Sequence, residues 1–113
     1  MLVERKEYKE DGTDLTYLES VFKSENILST TYFPHSHRLY IVFSRGDMYR
    51  YENIPPEFYQ DFEDADSHGK FFHKHIKNRD STHYRREYKL LPYEIEGLKK
   101  IVESHKPEEN EDE

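Results

Sequence analysis

One short stretch of the sequence, residues 38–43, constrains the fold more than any other feature, because its side chains alternate strictly between two sides of an extended chain. Those on one side are apolar: Leu39, Ile41 and Phe43. Those on the other side are mixed: Arg38, Tyr40 and Val42. This alternation predicts a β-strand with one buried face. Residues 27–33 are β-branched and aromatic and end at Pro34, which predicts a second strand before a turn.

The loop after residue 43 decides which residues of a third strand, 48–52, share the apolar face. A two-residue loop would place Tyr49 and Tyr51 on the side of Tyr40 and Val42, whereas a three-residue loop would place them on the apolar side. Gly46 suits the left-handed position that closes the longer loop. We therefore predict the three-residue loop, residues 44–46, in an antiparallel three-stranded meander.

Two short amphipathic helices are predicted after this meander. Pro55 and Pro56 precede the first, residues 57–65, and Ser67 is a suitable N-cap for the second, residues 69–78. Helical spacing places these residues inward: Phe58, Phe62, Ala65, Phe71, Phe72, His75 and Ile76. The predicted fold class is α+β, with both helices packed on one face of a small three-stranded antiparallel sheet. Its predicted core comprises Leu39, Ile41, Phe43, Phe58, Phe62, Phe72 and Ile76.

Extensions are predicted on both sides of a domain at residues 24–84. In the N-terminal extension, 1–23, residues 13–22 fit either a helix or a strand. In the C-terminal extension, 85–104, a strand signal that starts at Tyr84 is followed by a helix after Pro92. Residues 105–113 are strongly acidic and are predicted to be disordered.

The stretch from Ser24 to Tyr84 resembles the KTSC family, which is named for the C-terminal end of some lysyl-tRNA synthetases. The matching features are Ser24-Glu25-Asn26-Ile27, Tyr32, Leu39-Tyr40-Ile41-Val42-Phe43, Gly46, Tyr49-Arg50-Tyr51, Ile54-Pro55-Pro56, Tyr59, Ser67-His68-Gly69-Lys70-Phe71-Phe72 and His75-Ile76. The resemblance implies a small protein of the kind found alone in bacteria and phages. It carries a suggestion of RNA binding and no established activity.

Composition bounds the setting in which the chain acts. It has no cysteine, so disulfides and thiolate zinc sites are ruled out and a reducing, cytoplasmic location is expected. No stretch approaches the roughly 20 apolar residues that a membrane helix needs, so no membrane partner is expected. The net charge is −7, so nucleic acid could bind only through a local basic patch.

Such a patch is predicted on the outer face of the second helix, where lysines at helical spacing could follow a phosphate backbone. Its residues are Lys70, His73, Lys74 and Lys77. On the mixed side of the sheet, Arg38, Tyr40 and Arg50 are further candidates for contacts with single-stranded RNA or DNA. The competing interpretation of the lysines is a solvated helix face. Tyr49 and Tyr51 could also stack on bases, but core packing is favoured for both because their register places them on the apolar side.

The alternative function is a protein-interaction factor, for example a phage protein that binds and modulates a host protein. The acidic balance and the added terminal segments favour it. Its candidate contact surface is one face of the last helix: Ile95, Leu98, Ile101 and Val102.

We predict no enzyme, no catalytic residue, no cofactor and no metal site. His35 and His37 share a turn without an identifiable third ligand, while His73 and His75 would point to opposite sides of a helix. Asp61, Asp64 and Asp66 are interpreted as a hydrated helix face. No phosphate-binding glycine loop or nucleophile elbow is present.

Overall fold

The computed structural model describes residues 1–79 and 82–104, so the tail predicted at 105–113 lies outside the described residues. Within them, one antiparallel sheet contains six strands in chain order: β1 (Leu2–Lys9), β2 (Thr16–Phe22), β3 (Ile27–Phe33), β4 (Arg38–Phe43), β5 (Asp47–Tyr51) and β6 (Tyr84–Lys89). The α-helices are α1 (Pro56–Asp64), α2 (His68–Phe71) and α3 (Pro92–Ser104). Helix α2 continues directly into a π-helical segment, Phe72–Ile76.

The predicted three-stranded sheet is wrong, although the α+β class is correct. Residues 16–22, for which helix and strand were both open, form β2 and pair with β3. Strand β1 adds an edge to β2, and β6 adds the opposite edge by pairing with β5. The extensions thus supply three strands of the sheet. These strands were not assigned to it because the outermost two are mostly charged and exposed, so their pairing leaves little apolar alternation in the sequence.

The predicted hairpin between β4 and β5 is confirmed. Tyr51 pairs with Leu39 and Tyr49 pairs with Ile41, so the tyrosines share the apolar side. Gly46 has φ +97° and donates its backbone N–H to the carbonyl of Phe43 at 2.8 Å. We call this side of the sheet the first face and the opposite side, with Tyr40, Val42 and Arg50, the second face.

The main core lies on the first face, under α1, α2 and the π-helical segment. Its buried residues are Phe22, Ile27, Tyr32, Leu39, Ile41, Tyr51, Ile54, Tyr59, Phe62, Phe72 and Ile76. Of the predicted core, Phe43 and Phe58 are partly buried against this cluster. His75 was predicted to face inward but is exposed. The backbone N–H of Lys77 donates to Phe72 five residues earlier, and this wider turn shifts the helical spacing on which the prediction depended.

A buried polar cluster joins α1 to the first face and was not predicted. The side chain of Glu63 is 1% exposed, and its Oε2 accepts hydrogen bonds from Ser20 at 2.9 Å and from Tyr59 at 2.8 Å. The guanidinium of Arg5 lies 3.7 Å from the other carboxylate oxygen. These partners compensate a carboxylate that would otherwise be costly to bury.

Helix α3 covers part of the second face. Ile95 and Leu98 pack against a small buried cluster formed by Leu28, Val42 and Leu90. This contact gives the sheet a helical layer on each side. None of the helices in the described part of the chain has the length and apolar character needed to cross a membrane.

Candidate functional site

A groove runs beside α2 and the π-helical segment. Its opposite wall is formed by the β4–β5 hairpin with Tyr84 at one end, and by Met1 with residues 23–26 at the other. It comprises two adjoining clefts of about 750 and 630 Å³. The larger, which we call the aromatic cleft, has five aromatic rings in its lining: Phe43, Tyr49, Tyr51, Phe72 and Tyr84. The smaller, which we call the basic cleft, is lined by Lys23, Lys70, His73 and Lys74 among other polar residues.

The aromatic rings that line the aromatic cleft pack against one another. Tyr84, on β6, stacks over Tyr51 with centroids 6.0 Å apart and lies 6.1 Å from Tyr49. The ring of Phe72 meets Tyr51 edge to face at 5.4 Å. Tyr84 itself is 66% exposed, so a large aromatic surface remains open to a ligand. Flat groups such as nucleobases stack well on a surface of this kind.

Tyr51 is the buried tyrosine in the lining of this cleft, with 5% of its surface exposed. Burial raises the pKa of its phenol well above the ordinary range, and the neighbouring Tyr49 and Tyr84 raise it further. An ordinary tyrosine is already protonated at neutral pH, and the raised pKa of Tyr51 extends this protonation into more alkaline solution.

The two clefts meet at Asn26 and Gly69, which line both of them together with Glu25 and His73. A Cβ placed on Gly69 would lie 2.8 Å from Nδ2 of Asn26, so the absence of a side chain at Gly69 lets the amide lie directly over the backbone. The Asn26 side chain is exposed and can both donate and accept hydrogen bonds. The junction thus offers a polar contact between an aromatic wall and a basic one.

The predicted basic residues lie along this groove. All four are exposed on the helix that forms one wall: Lys70, His73, Lys74 and Lys77. The ion pairs found in residues 1–79 and 82–104 include none of these side chains. Ser67 caps α2 as predicted, accepting a hydrogen bond from the backbone N–H of Lys70 at 3.3 Å. The acidic side chains in the groove lining are Glu25, Asp47 and Asp66.

The structure separates the two candidate nucleic-acid sets. Arg38, Tyr40 and Arg50 lie on the second face, so the sheet stands between them and the groove. The guanidinium of Arg50 is also engaged by carboxylates, with Glu52 at 3.1 Å and Glu87 at 3.4 Å. A short ligand in the groove would contact the lysines without reaching these three residues.

The candidate partner-binding residues are largely used within the fold. Ile95 and Leu98 pack on the second face, and Ile101 and Val102 are half-buried on the same helix. Across the described ranges, no three His, Cys, Asp or Glu side chains are grouped closely enough to hold a metal ion.

The groove residues that were not selected from the sequence include Asn26, Gly69 and Tyr84. The first two belong to the stretches that carry the family resemblance, so a signal was present for them. Tyr84 is brought to the groove only by the pairing of β6 with β5, where it lies opposite Tyr51. A long-range strand pairing of this kind cannot be recognised from the residues that neighbour Tyr84 in the sequence.

Comparison with known proteins places most of the groove in a defined domain. Residues 23–79 match the KTSC domain. An uncharacterized protein of Stutzerimonas stutzeri strain A1501 is 40% identical over 63 residues, which span 56% of this chain and 84% of that protein. The crystal structure of a KTSC domain protein from Yersinia pestis is similar with a TM-score of 0.59 and 30% identity, covering 64% of this chain and 99% of that one. Tyr84 lies outside residues 23–79, which match the family.

Proposed function

The chain belongs to the KTSC domain family, and from that premise we propose that it is a non-enzymatic module that binds single-stranded RNA or DNA in the groove. The observation that carries the proposal is the position of the exposed ring of Tyr84 in the same groove as the exposed lysine side chains. Aromatic rings for bases and cations for phosphates are the two elements from which single-strand binding sites are built.

The dimensions and the chemistry of the two clefts support this assignment. A cleft of about 750 Å³ with an aromatic wall can accept nucleobases. The basic cleft beside it would hold the phosphates that connect them, with Lys23, Lys70 and Lys74 as the lysines in its lining. Asn26, at the junction, can hydrogen-bond to a base edge or a sugar hydroxyl.

A single strand suits the groove better than a duplex. The aromatic rings line a cleft, so a base must leave its stack to lie against them. Duplex DNA keeps its bases stacked and would offer only its phosphates. We therefore expect single strands to bind more tightly than duplexes of the same sequence.

The overall negative charge sets the conditions under which binding can be measured. A net charge of −7 opposes the approach of a polyanion, while the local lysines attract it over about 10 Å at moderate salt. Affinity should be modest and should fall steeply as salt increases, because each phosphate contact releases counterions.

The test is a titration of fluorescein-labelled oligouridine and oligothymidine, followed by anisotropy at several salt concentrations. Tyr84→Ala should weaken binding by about 1–3 kcal/mol, the usual contribution of one stacked base. Tyr93→Ala is the matched control, because Tyr93 is also a highly exposed tyrosine, at 72%, and lies on α3 away from the groove. Absence of binding at low salt, or equal losses for both variants, would refute the proposal.

A protein partner is the second candidate function. Three large apolar side chains are exposed where β6 leads into α3: Tyr88 at 46%, Leu91 at 52% and Tyr93 at 72%. Exposed groups of this type are common in protein interfaces. A protein partner bound there should be lost in a Leu91→Ser, Tyr93→Ser variant and retained when Tyr84 is replaced by alanine.

A further inference from the structure

A second aromatic surface lies on the second face of the sheet, where side chains from four neighbouring strands meet. We call it the aromatic ladder: Tyr8, Tyr17, Phe33 and Tyr40. Tyr8 stacks on Tyr17 with centroids 5.5 Å apart, and Tyr17 stacks on Phe33 at 5.0 Å. Phe33 then meets Tyr40 edge to face at 5.8 Å. Residues of adjacent strands are in register here, with Tyr8 opposite Tyr17.

The ladder occupies the part of the second face that α3 leaves open. Helix α3 packs at the other ends of the strands, on Leu28 and Val42. The ladder residues lie toward the ends of β1 and β3 and the starts of β2 and β4. Tyr8 is 39% exposed, and the other three rings are partly exposed. A row of four aromatic rings is therefore accessible from solvent beside the helix.

Three carboxylates lie near Tyr17, namely Glu10, Asp11 and Glu19, and one exposed cation, Arg38, lies opposite Phe33 at the end of β3. Glu10 lies 3.2 Å from the ring of His35, which itself contacts Phe33 edge to face. Lys6, a neighbour on β1, is paired with Glu4 at 3.0 Å.

The same carboxylates act on the phenol of Tyr17. Partial burial raises the pKa of its phenol, and the nearby side chains that raise it further include Glu19, Asp11 and Glu10. At the end of the ladder next to Tyr40, Arg50 is neutralised by Glu52 and Glu87.

We propose that the aromatic ladder binds an extended protein segment that carries arginine side chains. Arginine stacks on aromatic faces and gains from the negative face of each ring, and its guanidinium forms paired hydrogen bonds with carboxylates. The rings and the carboxylates Glu10 and Glu19 together supply both contacts. A nucleic acid could use the rings but would be repelled by the carboxylates, so this surface and the groove select ligands of opposite charge.

The experiment uses three synthetic glycine-serine peptides that are identical except at a set of spaced positions. These positions hold arginine in the first peptide, lysine in the second and citrulline in the third. Citrulline keeps the planar shape of arginine without its charge. The full chain is titrated with each peptide, followed by anisotropy and by NMR shifts of the backbone amides. We expect the arginine peptide to bind most tightly and the citrulline peptide most weakly, with the largest shifts on the ladder strands.

Two variants locate the site. Tyr17→Leu with Phe33→Leu keeps apolar strand residues but removes two rings, and should weaken the arginine peptide by about tenfold, the effect of two exposed cation–π contacts. Tyr8→Leu changes an exposed residue on an edge strand and should weaken it less, with the fold intact. Glu57→Gln with Asp61→Asn is the control for non-specific attraction, since both carboxylates are exposed on α1.

Loss in the ladder variants with the α1 control unchanged supports the proposal. The proposal is wrong if the ladder and control variants lose equal affinity for the arginine peptide. It is also wrong if the citrulline peptide binds as tightly as the arginine peptide, or if Tyr8→Leu binds the arginine peptide as the wild type does. The proposal is also wrong if oligouridine shifts the NMR signals of the backbone amides in the ladder strands and leaves those of the groove residues unchanged.

Discussion

The rings of Tyr32 on β3 and Tyr59 on α1 stack almost in parallel, with centroids 4.3 Å apart and an interplanar angle of 8°. Each phenol also makes a buried hydrogen bond. Tyr32 donates to the carbonyl of Ile54 at 2.6 Å, and Tyr59 donates to the carboxylate of Glu63 at 2.8 Å. This pair therefore attaches both α1 and the loop before it to the first face, opposite the surface that carries the aromatic ladder.

Removing one hydroxyl from this pair should destabilise the fold. Tyr59→Phe keeps the stacked ring but removes a donor from a carboxylate that is 1% exposed. We expect the free energy of unfolding in urea to fall by about 1–3 kcal/mol, the usual cost of leaving a buried polar group short of a partner. Tyr93→Phe removes an exposed hydroxyl and should change stability little. Equal stability of the two variants would contradict the assigned role of Glu63.

Stability should also depend on pH through His68. Burial against Phe22 and Phe62 lowers the pKa of its imidazole below the ordinary 6.5, although the hydrogen bond to the carbonyl of Glu63 acts in the opposite direction. The unfolded chain binds a proton at this site at higher pH than the folded protein does. The contribution of the neutral imidazole is therefore fully present above pH 6.5 and is lost as the pH falls through the lowered pKa.

Urea denaturation at a series of pH values between neutral and mildly acidic checks this dependence. His68→Gln should flatten the decline in stability on acidification. His37→Gln, at an exposed histidine, should leave the slope as in the wild type. If both variants keep the wild-type slope, other groups control the acid sensitivity.

Gly46 should tolerate substitution less well than Gly12, although both have positive φ, +97° and +73°. A Cβ on Gly46 would lie 2.6 Å from Cδ1 of Ile95, whereas one on Gly12 would meet no atom within 4 Å. Gly46→Ala should combine backbone strain of about 1–3 kcal/mol with displacement of α3. Gly12→Ala tests the strain without the displacement. A smaller loss of unfolding free energy in Gly46→Ala than in Gly12→Ala would contradict this packing of α3 on the hairpin.

The central hairpin could be predicted from the sequence because its determinants are local. Alternation between residues 38 and 43 and the glycine at position 46 are enough to specify the loop and the shared face of Tyr49 and Tyr51. Strand β1 could not be found in this way. Its residues are mostly charged, and as an edge strand it contributes little to the core, so its pairing with β2 is decided by contacts made after the sheet exists.

The candidate site likewise contains residues that the sequence could place and residues that it could not. Helical spacing was sufficient to place Lys70, Lys74 and Lys77 together on an exposed surface. The wall opposite them depends on Tyr84, whose place is set by pairing with Tyr51 across the sheet. The position of Arg50 was predicted correctly, but its pairing with Glu87 requires β6 beside β5 and was invisible in the sequence.

Reversing the charge of the groove lysines is the most direct test of the nucleic-acid proposal. A variant with Lys70→Glu, Lys74→Glu and Lys77→Glu should lose binding of oligouridine, because the phosphates would meet three carboxylates in place of three cations. The change in the melting temperature should be small, since these side chains are exposed and surface substitutions usually cost within about ±0.5 kcal/mol each.

The matched control replaces three other exposed lysines, Lys9, Lys99 and Lys100, with glutamate. It changes the net charge by the same amount and therefore imposes the same long-range repulsion on the oligonucleotide. If the lysines act as groove contacts, the control should retain binding at moderate salt and keep most of the wild-type salt dependence. If both triple variants lose binding equally, overall charge and not the groove governs the interaction. Binding that survives reversal of the groove lysines would leave a protein partner at Leu91 and Tyr93 as the better-supported function.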